Sequence, residues 1–188
     1  MFEYAKDTSG WEDWQFEYRF GAFYSFPPTG VIEPVDTLRQ AYDPKAAAIC
    51  PAHMSLSEPL PAQLLDEQLE QIRTALAAVQ PFDIRYGPLR NFPPHPGVCY
   101  AITPEANLRA LRSVLHATAP FTGVALRHEH IAPHMTVAEF MTVERTHELL
   151  QALSGKVPEG TFRCGSVEYA VPNDKFYFER VLTIPLRG

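Results

Sequence analysis

The stretches PAHMSL at 51–56 and APHMTV at 132–137 place the same residue types in the same order, with their histidines about 81 positions apart. On an extended strand, successive side chains point to opposite faces. His53 and Ser55 then share one face, with Met54 and Leu56 on the other. His134 and Thr136 likewise share a face opposite Met135 and Val137. The apolar pair anchors each strand, and the polar pair is presented to whatever lies across it. Two imidazoles facing one another suit phosphodiester hydrolysis without a metal. An imidazole titrates near neutrality, so one ring can take a proton from water while the other gives one to the leaving oxygen. The hydroxyls two residues on can donate to the non-bridging phosphate oxygens, where charge grows. In-line opening of a cyclic phosphate needs groups on opposite sides of phosphorus, which a duplicated motif supplies.

Positioning the motifs requires strands at both places, and the surrounding pattern predicts them. The run 18–26 (YRFGAFYSF) reads as a strand ended by Pro27-Pro28, and IEPVDTLRQAY as a helix with Pro34 near its start. AAAICPAHMSLS is the first motif strand. Leu65, Leu69, Ile72, Leu76 and Val79 form one stripe of a helix over 63–79. FDIRYGPLRNF at 82–92 is a further strand. The second half opens with a strand at 97–102. Next comes a helix capped by Thr103, with Pro104 at its first position and Leu108, Leu111 and Leu115 as its stripe. The second motif strand is HIAPHMTVAEF. Thr142 caps VERTHELLQAL, Gly155 closes it, and TFRCGSVEYAV and FYFERVLTIPL finish the chain as two strands. Each half thus reads strand, helix, motif strand, helix, strand.

The 188 residues suit one domain or two similar lobes, and 46% hydrophobic residues with 20% charged exclude disorder. A formal charge of −6 speaks against a generic grip on long nucleic acid, so no extended nucleic-acid surface is expected. The charge is uneven. Residues 1–70 hold 12 acids and 4 bases, which leaves 10 acids (22 − 12) and 12 bases (16 − 4) in 71–188, enough for local positive potential. Three separated cysteines, Cys50, Cys99 and Cys164, suit buried thiols in a reducing compartment. No secretory signal and no membrane-length apolar run are visible, so a cytoplasmic monomer without membrane contact is expected.

HMSL and HMTV resemble the paired His-hydrophobic-Ser/Thr-hydrophobic motifs of the 2H phosphoesterase superfamily, which includes 2'-5' RNA ligase-like proteins and cyclic phosphodiesterases. The context IAPHMTVAEF and the closing VEYAVPNDKFYFERVLTIPL strengthen the likeness, which covers roughly 16–188. It implies an α+β fold with two pseudo-symmetric lobes of mainly antiparallel sheet, outer helices and a central cleft. Residues 1–15 would be an N-terminal extension, and the motif-bearing repeats would span roughly 16–92 and 97–172. The resemblance also implies His53 and His134 as the catalytic pair, Ser55 and Thr136 as phosphate binders, no metal or other cofactor, and a small nucleotide or RNA-end substrate. Tyr24, Phe26, Tyr100 and Tyr177 are candidate substrate contacts from their places near strand ends, His130 from a place near the cleft mouth, and Arg127, Lys175 and Arg180 as charges that could neutralise phosphate.

Two other readings compete with hydrolysis. One is a nucleotide- or RNA-end-binding module without turnover. The other is a metal enzyme using His128, His130 and His134, whose spacing lets all three share a strand face. His95 is expected in a loop, and His116 and His147 on exposed helix surface.

Overall fold

The computed structural model describes residues 2–92, 95–127 and 130–188. It arranges the strands in two four-stranded antiparallel sheets. The first contains β1 (Ala22–Ser25), β2 (Met54–Ser55), β7 (Ser166–Pro172) and β8 (Phe178–Pro185), in the order β2-β1-β7-β8. The second contains β3 (Phe82–Asn91), β4 (Val98–Thr103), β5 (His134–Ala138) and β6 (Gly160–Cys164), in the order β5-β4-β3-β6. Each sheet therefore starts from a motif strand at its edge, followed by the strand that precedes it in sequence. The third strand of each comes from the opposite half of the chain.

This exchange differs from a simple chain of two self-contained halves. β3 leaves the first motif to pair with β4 and β6 of the other sheet. The run 161–171, expected as one strand, breaks at Gly165, because a glycine in a strand interior has no side chain to pack. β6 stays with β3, while β7 crosses to pair with β1 and β8.

Among the described residues five α-helices flank the sheets: α1 (Thr29–Tyr42), the short α2 (Pro44–Ala47), α3 (Asp66–Ala77), α4 (Glu105–His116) and α5 (Val143–Leu153). Their apolar stripes are those the spacing predicts, with Leu69, Ile72 and Leu76 buried on α3 and Leu108, Leu111 and Leu115 on α4. Leu65 lies outside the stripe. It precedes the first turn of α3 and is 53% exposed, while Gln68 accepts a hydrogen bond from its amide. Thr103 ends β4 instead of capping α4, and Pro104 takes the capping place. Thr142 caps α5 as expected, accepting from the Arg145 amide at 3.2 Å.

The helices are exchanged too. α1, from the first half, packs on β5, and α4, from the second, packs on α3. The inward faces of both sheets and four of the helices share one apolar core, which includes Phe23, Met54, Tyr169, Tyr100, Met135, Ile72, Leu111 and Leu149. A second cluster lies on the outer face of the first sheet, where Trp11 packs with Tyr24, Phe26, Phe176 and Phe178. The N-terminal residues reach it through hydrogen bonds. The Trp11 indole donates to the Asp174 carbonyl, and the Lys6 amide to the Asp174 carboxylate.

Candidate active site

Strand register places the motif side chains. Ser55 sits opposite Tyr24 on β1, so His53 and Ser55 share the outer face with Tyr24, and Met54 turns into the core at 1% exposure. On β5, His134 pairs with Ala101 and Thr136 with Cys99, while Met135 pairs with Tyr100 on the buried face. Both polar pairs thus lie on faces turned away from the shared core, with both histidines half-buried. The two rings are close enough for the charge of His134 to oppose protonation of His53.

The rings are held alike. His53 Nδ1 lies 2.7 Å from the Pro51 carbonyl oxygen, and His134 Nδ1 lies 2.9 Å from that of Ala132. A carbonyl can only accept, so in each ring Nδ1 carries the hydrogen and Nε2 is left with a lone pair. Aromatic rings fix the planes. Tyr24 meets His53 edge-on at 4.7 Å, and Phe92 meets His134 edge-on at 4.3 Å. Burial pushes both imidazoles down to about 4, with Arg39 and His134 adding to the effect at His53 and Arg90 at His134; the carbonyl bonds oppose it. Both rings are therefore neutral at neutral pH.

Two arginines that the sequence reading did not single out support the motif backbones. Arg39, buried on α1, donates to the carbonyls of Cys50 and Ala46 and pairs with Asp36, whose carboxylate accepts from the Ala52 amide. The approach to His53 is thereby clamped to α1. Arg90 donates to the Pro133 carbonyl beside His134. It reaches that side because β3 bulges at Gly87-Pro88 between the pairs Tyr86↔Ile102 and Leu89↔Tyr100. The extra residue shifts the alternation, so Arg90, not Leu89, faces outward. Gly87 has φ +106°, a conformation that favours glycine. The dipeptide Gly-Pro inside a strand pattern was the available signal.

The duplication also runs further than six letters, since Glu58 and Glu139 each stand five residues after their histidine. Glu58 is 4% exposed. Its carboxylate accepts from Arg112 Nη2 at 2.6 Å and from both the amide and Nε of Arg127, and its own amide donates to His116. Glu139 is half-buried, and burial with Asp43 alongside raises its carboxyl above the ordinary range. Its amide donates to Asp43 at the end of α1.

The remaining candidates fall in different places. Tyr24 is buried beneath His53. Tyr100, expected near the cleft, is instead fully buried on the core face, because it alternates with Cys99 and Ala101. Lys175 and Tyr177 occupy the β7–β8 hairpin, where Asn173 accepts both their amides and Tyr177 is 38% exposed. Arg180 lies over the Phe26 ring at 5.2 Å, and Phe26 in turn lies 5.9 Å from His53. Arg127 is engaged by Glu58 and Glu17. His116 is half-buried against Phe121, unlike the exposed site expected, whereas His147 is exposed. His130 lies exposed in the turn before β5, and His128 lies outside the described residues. Among the described residues no three His, Cys, Asp or Glu side chains are grouped to hold a metal ion.

The model for the 2'-5' RNA ligase superfamily matches residues 26–175, a span that contains both motif strands and the crossing strands between them. The chain belongs to this superfamily. A Bacillus cereus B4264 relative named "Putative phosphoesterase" is 30% identical over 159 residues, covering 81% of this chain and 83% of its own. An Oceanobacillus iheyensis relative named in the same way is 27% identical over 138 residues, covering 68% and 75%. The fold is shared with solved structures at low identity. Escherichia coli LigT complexed with NADP+ superposes with TM-score 0.56 at 15% identity over 89% of this chain and 96% of that one. The same protein complexed with 3'-AMP gives 0.53 at 13% over the same shares. The superfamily member described here is a phosphoesterase of the 2H type, with the expected α+β fold. Among the described residues no helix is long and apolar enough to cross a membrane.

Proposed function

We propose that this phosphoesterase hydrolyses cyclic phosphodiesters of the 2',3'-cyclic nucleotide or RNA-end type, or 2'-5' linkages, using His53 and His134 as a general acid–base pair. The observation that carries the reading is the matched presentation of the two rings. Each is fixed through Nδ1 by a carbonyl two residues upstream, which leaves Nε2 with its lone pair.

In hydrolysis, one Nε2 takes a proton from the attacking water as its oxygen bonds to phosphorus. The other, protonated, gives its proton to the departing sugar oxygen as that P–O bond breaks. Ser55 and Thr136 donate to the non-bridging oxygens. Neutral rings still serve, because a bound phosphate anion favours the protonated form of a neighbouring imidazole. A cytoplasmic setting accords with three buried, unpaired thiols.

The test uses chelator-treated protein and a 2',3'-cyclic nucleotide. Ring opening is expected, and His53→Ala or His134→Ala should each lower kcat by roughly 100- to 10,000-fold in a protein of unchanged circular dichroism. Full activity in either variant would overturn the assignment.

A further inference from the structure

β2 is two residues long and pairs with β1 at Tyr24↔Ser55 and Ser25↔Met54. So short an edge strand takes its position from what holds the chain on either side. Upstream, Arg39 and Asp36 hold Cys50 and Ala52. Downstream, the Phe23 carbonyl accepts the amides of Leu56 and Ser57, and Glu58 is then tied to the other half of the chain. One member of that tie is unexplained by packing. His116, the last residue of α4, accepts the Glu58 amide on Nε2 at 3.2 Å. An N–H can only donate, so Nε2 is bare and Nδ1 carries the hydrogen. Nδ1 is buried and has no acceptor among the described residues. A buried donor without an acceptor costs stability, and Phe121, whose ring lies 4.4 Å away, would pack as well on an apolar side chain.

The charged groups around the ring are Arg112, one turn back on α4, and the Glu58 carboxylate, which also accepts from Arg127 and through it meets Glu17. Burial, with Arg112 alongside, holds the imidazole below its ordinary range, and Glu58 opposes the shift. The ring is therefore neutral at neutral pH. A proton added to Nε2 would face the Glu58 N–H, donor against donor, and the bond would be lost. The Glu58 carboxylate then attracts the cation in competition with Arg127, whose side chain is 48% exposed.

We propose that His116 is a positioning residue for the phosphoesterase site. Its bare Nε2 holds the end of the first motif and, through Glu58 and Arg127, keeps His53 and Ser55 aligned with the segment that carries His134. Protonation of the ring releases that hold. This rests on the two motifs carrying catalysis, as proposed above. His116 acts through Glu58 and not on the substrate. The consequence is an acid-side loss of turnover that belongs to His116. It disappears when the imidazole is replaced by a side chain that accepts the same bond and cannot titrate.

The experiment compares His116→Gln, whose amide oxygen can accept the Glu58 amide but cannot titrate, with His116→Leu, which cannot accept. Both are measured in the full chain on a 2',3'-cyclic nucleotide from about pH 8 to about pH 5, the span over which an ordinary imidazole titrates. At neutral pH His116→Leu should lose roughly 10- to 100-fold in kcat with little change in KM, and His116→Gln should keep most of the rate. As pH falls, the rate should drop further in the wild type than in His116→Gln. Nuclear magnetic resonance should show His116 as the Nδ1–H tautomer, with Glu58 amide and His53 ring signals that shift as His116 titrates. Full kcat in His116→Leu would overturn the proposal, as would a His116→Gln pH profile that follows the wild type. Coupled His116, Glu58 and His53 signals in a protein that opens no cyclic nucleotide would sink the catalytic reading alone. Ring opening that depends on His53 and His134 yet ignores both His116 variants would sink this one alone.

Discussion

Two hydrogen bonds to carbonyls decide what the histidines can do. With Nδ1–H committed to Pro51 and Ala132, both rings offer Nε2, and burial holds each down to about 4. An unfolded histidine titrates near 6.5, so as pH falls the unfolded chain binds protons before the folded one does. These two rings therefore withdraw stability from about pH 6.5 down to about 4. Replacing both by asparagine should flatten that part of the urea-midpoint profile. Nuclear magnetic resonance of the free protein should show both rings titrating near 4, and added inorganic phosphate should move at least one upward. No movement would remove the anion as the source of the acid form. Ser55→Ala and Thr136→Ala should each lower kcat on a cyclic nucleotide by about 100-fold, in the range seen for a lost donor to a developing oxyanion.

At the scale of elements, α1 is the common support of both motif strands. Arg39 holds the segment leading to His53, and Asp43 at its end receives the amide of Glu139 just past Thr136. Glu58 makes a second tie. Through Arg112 and Arg127 it joins the end of the first motif to α4 and to the segment that leads into β5, and Arg127 continues to Glu17 near the N-terminus. Glu58→Gln should destabilise by about 2–4 kcal/mol in denaturant unfolding, since it strips a buried carboxylate from Arg112. The half-exposed Arg127 contributes little of this. A change under ~0.5 kcal/mol would show that solvent readily replaces the carboxylate.

At the scale of the molecule, the exchanged strands make the halves interdependent. Among the described residues β3 has partners only in the sheet of the second half, and β1 joins β8 only through β7. The peptides 1–95 and 96–188 should each be largely unstructured alone by circular dichroism, and the intact chain should unfold in one cooperative transition. A separately folded half would show that its core closes without the crossing strand.

Much of the site was legible from one strand period. Alternation alone placed His53 with Ser55 and His134 with Thr136, opposite Met54 and Met135, and helical spacing placed the buried leucines of α3 and α4. Local patterns carry that much because a side chain's face follows from its neighbours in the chain. They could not carry the bulge that turns Arg90 outward, the break at Gly165 that sends β7 to the other sheet, or the burial of Tyr100. Nor could they show that Asp83 and Arg163, far apart in sequence, meet across β3 and β6. Those facts depend on which strand lies beside which, a choice made by long-range pairing and by the single core that both halves complete.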